Sequence, residues 1–261
     1  MLSVACCQHV GQAGFNQQDA LLLGHEVWQA RDLSVERAFK ASGTLLAVAD
    51  GVSASPAAER ASRLALDLLQ EKLASAPEAE PISLDGRLVR AIQQEMAHRL
   101  RHRRSHGAAC TLAAVQWQAE KLVMLNCGDS RVLHIHRPLV TGNEWAWRQL
   151  SKDHSLRQQF IDQGLADDAA DYASLYDGLA NCLIADSEET DFELHRQEAR
   201  ISPGDYVLLM TDGVHDVLPL AALQASFDPA LGVRQQVERW RLAVLAAGAP
   251  DNFSLILARR D

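Results

Sequence analysis

Two short runs in this chain are apolar at nearly every position: TLLAVA at residues 44–49 and YVLLM at residues 206–210. A strand with one wet face alternates apolar and polar residues, whereas a run that is apolar throughout needs cover on both faces. Each run is too short for a helix and is followed by an Asp-Gly turn signal, so both are predicted to be fully buried strands. Further strands are predicted at residues 2–10, 111–117, 122–126, 131–136 and 253–258.

Three segments carry helical periodicity. Residues 56–75 place Ala61, Leu64, Ala65, Leu68, Leu69 and Lys72 at helical spacing, with Pro56 suited to a first turn. Residues 84–104 align Leu88, Ile92, Met96 and Leu100 on one stripe, and residues 234–247 run up to Gly248, a common helix terminator. The order lacks the β-α alternation of a parallel doubly wound sheet, and the tight run 111–136 predicts an antiparallel meander. Antiparallel strands that are apolar on both faces need a second sheet on one side and helices on the other. The expected fold class is therefore α+β, a four-layer α-β-β-α sandwich with two central, mostly antiparallel sheets. With 261 residues, 48% of them hydrophobic, the chain can build such a core. No linker rich in Pro, Gly or Ser and no repeat interrupts it, so a single domain over 1–261 is expected, with the polar stretch 151–200 as a flap.

The net charge of -9 opposes nucleic-acid binding, which needs a positive surface to displace counterions. The N-terminal residues lack a basic region followed by a long apolar core, and no ~18-residue apolar run occurs, so a cytoplasmic monomer without a membrane anchor is expected. Five cysteines (Cys6, Cys7, Cys110, Cys127 and Cys182) form no C-x-x-C pair and read as reduced, small hydrophobes.

The chemistry lies in the aspartates. Asp50 (LLAVADG), Asp129 (MLNCGDSR), Asp212 (VLLMTDG) and Asp251 (APDNFS) each stand at or near the end of an apolar strand, and Asp19 (FNQQDALLL) lies near the first. Strand ends can converge on one rim, where carboxylates repel unless cations neutralise them. An all-oxygen donor set selects hard cations, Mg²⁺ or Mn²⁺, over zinc. An Asp-Gly pair alone is usually just a turn, so the joint occurrence carries the argument.

The segments VADGVSASPAAERAS, NCGDSR, TDGVHDVL and DNFS, in this order, resemble the motifs of the PP2C-type metal-dependent protein phosphatases, and the resemblance runs from residue 16 to 257. It implies that Asp50 bridges two Mg²⁺ or Mn²⁺ ions, with the Gly51 carbonyl on one of them, and that Asp212 and Asp251 complete the coordination of the first ion. Asp19 then orders waters of the second ion, Gln18 stands where some members carry a metal-associated Glu, and Asn252 supports Asp251. Asp129 and Asp216 resemble carboxylates that hold a third, weaker ion in bacterial members. The implied reaction is hydrolysis of phosphoserine or phosphothreonine in a protein by a metal-activated water, without a phosphoenzyme, in opposition to a Ser/Thr kinase.

The chain departs from the pattern in places. Gly14 stands where the family usually has a phosphate-clamping arginine, which glycine cannot replace. Val52-Ser53-Ala54-Ser55 lacks the histidine that can protonate a leaving group. A substitute arginine is sought in HRLRHRRSH at residues 98–106, which otherwise reads as a solvated helix end with cations suited to the dipole. Its His98 and His102 read as surface residues rather than metal ligands. His215 reads as a loop histidine, Trp145 and Trp147 as packing residues of one strand face, and Asp167, Asp168 and Asp171 as a solvated acidic loop. Two other readings stand beside the phosphatase: a catalytically weak or inactive relative that binds phosphoproteins as a scaffold, and a two-metal nuclease. The first draws on Gly14; the second is opposed by the negative charge.

Overall fold

The structure is a computed structural model that describes all residues except 13, 15, 75–82, 119–120, 139–143, 166–177 and 189–190. Asp167, Asp168 and Asp171 fall outside the described residues. Fourteen described strands, β1 to β14 in chain order, are Leu2–His9, Ala20–Leu23, Glu26–Trp28, Asp32–Phe39, Leu45–Ala49, Ala109–Cys110, Leu112–Gln118, Lys121–Cys127, Arg131–His136, Ala146–Gln149, Leu183–Ile184, His195–Arg200, Tyr206–Met210 and Phe253–Arg260. The helices α1 to α6 are Ala58–Ala74, Gly86–Arg99, Leu156–Asp162, Asp212–His215, Leu220–Ala225 and Val233–Ala246.

Two six-stranded antiparallel sheets form the centre, ordered β10-β9-β13-β14-β1-β4 and β12-β8-β7-β5-β2-β3. Period-2 geometry explains why β5 is apolar throughout. Leu46 and Val48 point between the sheets, where they meet Leu209 of β13 and Ile256 of β14. Leu45, Ala47 and Ala49 point outward against Leu66 and Leu69 of α1 and Ile92 of α2. On the far side, Leu208 and Leu257 pack under Val237, Trp240 and Val244 of α6. The layers are therefore α-β-β-α, as the apolar strands require.

Two expectations are corrected. The stretch 111–136 is not one meander: β7 and β8 form a hairpin, but β9 leaves for the other sheet and pairs with β13. The change of sheet occurs at Gly128, whose φ of 106° suits glycine. The second helix ends at Arg99, not 104, because Ser105 turns the chain back by donating to the Leu100 carbonyl at 2.9 Å. Its start is fixed by Asp85, whose carboxylate caps the backbone amides of Arg87 and Leu88.

Trp145 and Trp147 do pack: both meet Phe227 edge-on, with ring centroids 5.3 and 5.5 Å apart. The described part of residues 151–200 contains α3, β11 and β12, the last being an edge strand of the second sheet. Among the described residues no helix is long and apolar enough to cross a membrane.

Candidate metal centre

Strand register brings the aspartates to one rim. Ala20 pairs with Ala49, which sets Asp19 beside Asp50 at the end of the second sheet. In the first sheet Met210 pairs with Leu255 and with Arg131, so Asp212, Asp251 and Asp129 leave their strands at the corresponding end. Thr211 ties the two sheets together there. Its hydroxyl donates to Asp19 Oδ2 at 2.9 Å and accepts from the Ser254 amide at 3.0 Å.

Asp50 is held from both sides of its own peptide. Its amide donates to Thr111 Oγ1 at 3.0 Å, and its carbonyl accepts from the Thr111 amide at 2.8 Å. Gly51 lies so close to the chain that a Cβ there would sit 2.4 Å from the Ala58 carbonyl, which leaves room for glycine alone. Gln18 anchors the same corner. Its amide donates to Asn252 Oδ1 at 2.5 Å, and its side-chain oxygen accepts from Ser53 Oγ at 2.6 Å. Asn252 also donates to the Val10 carbonyl, and its own amide donates to Asp251 Oδ1 at 2.7 Å.

The side chains of Asp19, Asp50 and Asp212 lie within hydrogen-bonding reach in sequence, Asp50 in the middle. Burial first, and the Asp212 charge second, push Asp19 and Asp129 up to about 7. The same causes, with Asp19 added, hold Asp50 well above the usual carboxylate range, and burial raises Asp212. Asp216 goes the other way, lowered mainly by its hydrogen bond from His215.

Buried carboxylates that are this costly to ionise are the electrostatic signature of a cation site. The donors are all oxygen, as a hard cation requires. The group is gathered but open: among the described residues no three Asp, Glu, His or Cys side chains already close around one point. Asp251 is exposed at the rim.

A cleft of about 200 Å³ opens on this centre, lined by Asp129, Asp212, Asp216, His215, Arg131 and Arg157 among others. His215 is thus not a loop residue: it ends α4, with its side chain only 6% exposed and Nδ1 3.2 Å from Asp216 Oδ1. Arg131 is paired with Asp153 at 2.6 Å. The run 98–106 does not reach this cleft; His98 and Arg101 line a different groove. Gly14 has no room for a side chain, since a Cβ there would lie 2.6 Å from the Val10 carbonyl and 2.7 Å from Asn252 Nδ2. Sequence reasoning passed over Arg131 and Arg157 as cleft residues, and it missed Thr111 and Thr211. Arg131 and Thr211 lie inside the quoted motifs, but nothing in a linear motif says which way they point.

A family profile described as Protein phosphatase 2C matches residues 12–246. Among curated proteins, the chain is 27% identical over 220 residues to the serine/threonine protein phosphatase PstP of Mycobacterium tuberculosis, covering 84% of this chain. The chain spans 40% of that relative's length. Among solved structures, PstP of Mycobacterium tuberculosis aligns over 100% of both chains at 21% identity and a TM-score of 0.79. Stp1 of Staphylococcus aureus aligns over 100% of this chain and 96% of its own at 17% identity and a TM-score of 0.81. A PstP catalytic domain in complex with 2 manganese ions aligns over 100% of both chains at 22% identity and a TM-score of 0.73.

Proposed function

The chain belongs to the protein phosphatase 2C family, and from that premise we propose that it hydrolyses phosphoserine and phosphothreonine in proteins with the help of two Mg²⁺ or Mn²⁺ ions. The observation that carries this reading is the mutually repelling group of buried Asp19 with half-buried Asp50 and Asp212, the last of which lines a cleft that bears arginines. In this reading Asp50, the Gly51 carbonyl, Asp212 and Asp251 hold the ions. Asp19 and Gln18 order their waters, Asn252 fixes Asp251, and Asp129 with Asp216 offers a third, weaker site. When bound, the ions supply an activated water and neutralise phosphoryl charge.

The chain's own residues do the rest. Thr211 holds the Asp19 carboxylate and Thr111 the Asp50 backbone, so that little reorganisation is needed as charge develops. Arg131 and Arg157 face the cleft where a phosphoryl group would enter, and guanidinium forks suit its oxygens. No thiol competes as a nucleophile: burial pushes Cys182 up to about 11 and Cys110 well above its ordinary value, so both stay protonated at neutral pH. The net charge of -9 supports a protein substrate over nucleic acid. The biological counterpart of this activity is a Ser/Thr kinase, and the chain acts as a monomer in the cytoplasm.

The direct test is hydrolysis of p-nitrophenyl phosphate and of a phosphothreonine peptide with Mn²⁺, Mg²⁺ or EDTA. Turnover that requires the cation is expected. A folded sample inert with every cation would instead support a phosphoprotein-binding relative. A second expectation concerns the clamp. Arg157→Ala should raise KM for either substrate about tenfold or more, the scale of one hydrogen bond to a charged group. Arg103→Ala with Arg104→Ala should leave KM for p-nitrophenyl phosphate unchanged. Steady-state kinetics on the two variants checks both.

A further inference from the structure

Between β8 and β9 the chain crosses from one sheet to the other through Gly128, Asp129 and Ser130, which lie outside both ladders. Asp129, the middle residue, lines the cleft of the metal centre. Buried backbone groups with no ladder partner must be satisfied from elsewhere. On one side, Ser130 Oγ lies 2.8 Å from Thr111 Oγ1, the oxygen that also accepts the Asp50 amide. On the other side, the buried Gly128 amide donates to a ring nitrogen, His154 Nδ1, at 3.0 Å. His154 is itself fixed: its amide donates to the Gly128 carbonyl at 3.1 Å, and its carbonyl accepts the Ala180 amide at 2.8 Å.

The chemistry of that ring is determined by its donors. A backbone N–H can only donate, so Nδ1 offers its lone pair and the neutral ring carries its proton on Nε2. Asn181 Nδ2 also donates to Nδ1, at 2.8 Å, and the orientation of this amide is set because its Oδ1 accepts the Glu193 amide at 2.9 Å. Two donors converge on Nδ1, which leaves no place for a proton there. The ring is buried, and burial holds it below the usual histidine range, so it is neutral at pH 8. A carboxylate in its place would accept equally well but add charge to a rim already crowded with aspartates, whereas Lys or Arg could not accept at all. The ring is not part of the cleft wall, so its effect on the centre passes through the Gly128 amide.

We infer that His154 is a positioning residue for the weaker cation site: by accepting the Gly128 amide it fixes the 128–130 turn, and with it the direction of the Asp129 carboxylate, against the segment around Asn181. The inference rests on the reading of Asp129 and Asp216 as holders of a third ion. Without the imidazole the Gly128 amide is buried and unpaired, and the turn must shift to find another acceptor. Glycine at a φ of 106° puts up little resistance to such a shift.

Mn²⁺ binding followed by isothermal titration calorimetry at pH 8 tests this without turnover. Wild-type protein should show tight binding and a weaker site that Asp129→Asn removes. His154→Leu should weaken that site about tenfold, the scale for a group that orients a metal ligand. It should leave the tight binding unchanged, which also certifies the fold. His154→Asn, whose Oδ1 can accept near the place of Nδ1, should restore the weaker site. In ¹⁵N-labelled wild-type protein, a scalar coupling between the Gly128 amide nitrogen and His154 Nδ1 should report the hydrogen bond itself. Should leucine unfold the chain, this coupling and the asparagine variant still decide. An absent coupling, a weaker site that survives in His154→Leu, or its equal loss in both variants would overturn the inference and leave the phosphatase reading standing. Wild-type protein that binds no Mn²⁺ would remove the cation centre and both readings with it.

Discussion

Asp212→Asn should lower metal-dependent turnover by at least ~10³-fold, about 4 kcal/mol of transition-state stabilisation, while the protein stays folded. Asparagine keeps the size of aspartate and much of its hydrogen bonding, so the variant removes little but charge. That charge is what the centre needs, because Asp212 is one of two aspartates within hydrogen-bonding reach of Asp50. Without it the cation site loses affinity and the activated water loses its field. Stability should move the other way. The Asp212 charge is the second cause of the raised values of Asp19, Asp50 and Asp129, after burial. Removing it relieves repulsion that the metal-free protein otherwise bears. In EDTA at pH 8 the variant should therefore melt above wild type. Paired kinetics and thermal melts check this; a variant that loses activity and also melts lower in EDTA would mean that Asp212 acts mainly by holding the fold.

The layered core was legible because β5 and β13 are apolar at both parities, a pattern that only two-sided cover satisfies. One missed strand, β2, is apolar and buried throughout but only four residues long; others carry no such demand. In β4, Leu33, Val35 and Phe39 reach the core, but the other residues, all polar except Ala38, are exposed at a sheet edge. In β12, HRQEAR, alternation is nearly invisible in composition because long polar side chains line the partly buried face as well. The exchange of sheets at β9 was unreadable for another reason: hydrophobic period tells which residues are buried, not in which sheet. The five aspartates of the rim could be singled out because each is marked by the apolar run beside it. Their supports could not. Thr211 reaches Asp19 across a sequence separation of 192 residues, a contact that only the register of two sheets creates. The cleft arginines fail in the same way, since His98 and Arg101 of the conspicuous basic run line another groove while the solitary Arg131 and Arg157 line the cleft of Asp129 and Asp212.

Metal removal should leave a protein whose stability falls as pH rises, the reverse of the usual carboxylate behaviour. Asp19 and Asp129 ionise near 3.8 when unfolded and near 7 when folded without cations. Between those values the native state binds more protons than the unfolded state. The slope of unfolding free energy with pH is therefore negative. Stability is highest below about pH 4 on this account, declines through the window from 4 to 7, and levels off above it. Cations invert the balance because they bind the ionised carboxylates of the native state alone. At a hundred times Kd an ion adds about 2.7 kcal/mol, roughly 5–10 °C in Tm for a domain of this size. The gain should be full near pH 8 and small near pH 5, where protons occupy the same oxygens. Melting curves in EDTA and in Mn²⁺ across that range check both slopes. A metal-free protein that grows more stable from pH 5 to 8, or a Mn²⁺ shift independent of pH, would show that the buried aspartates do not form the cation site. The same competition sets the acid limb of activity: turnover should fall as pH drops below about 7, and added Mn²⁺ should move that limb to lower pH.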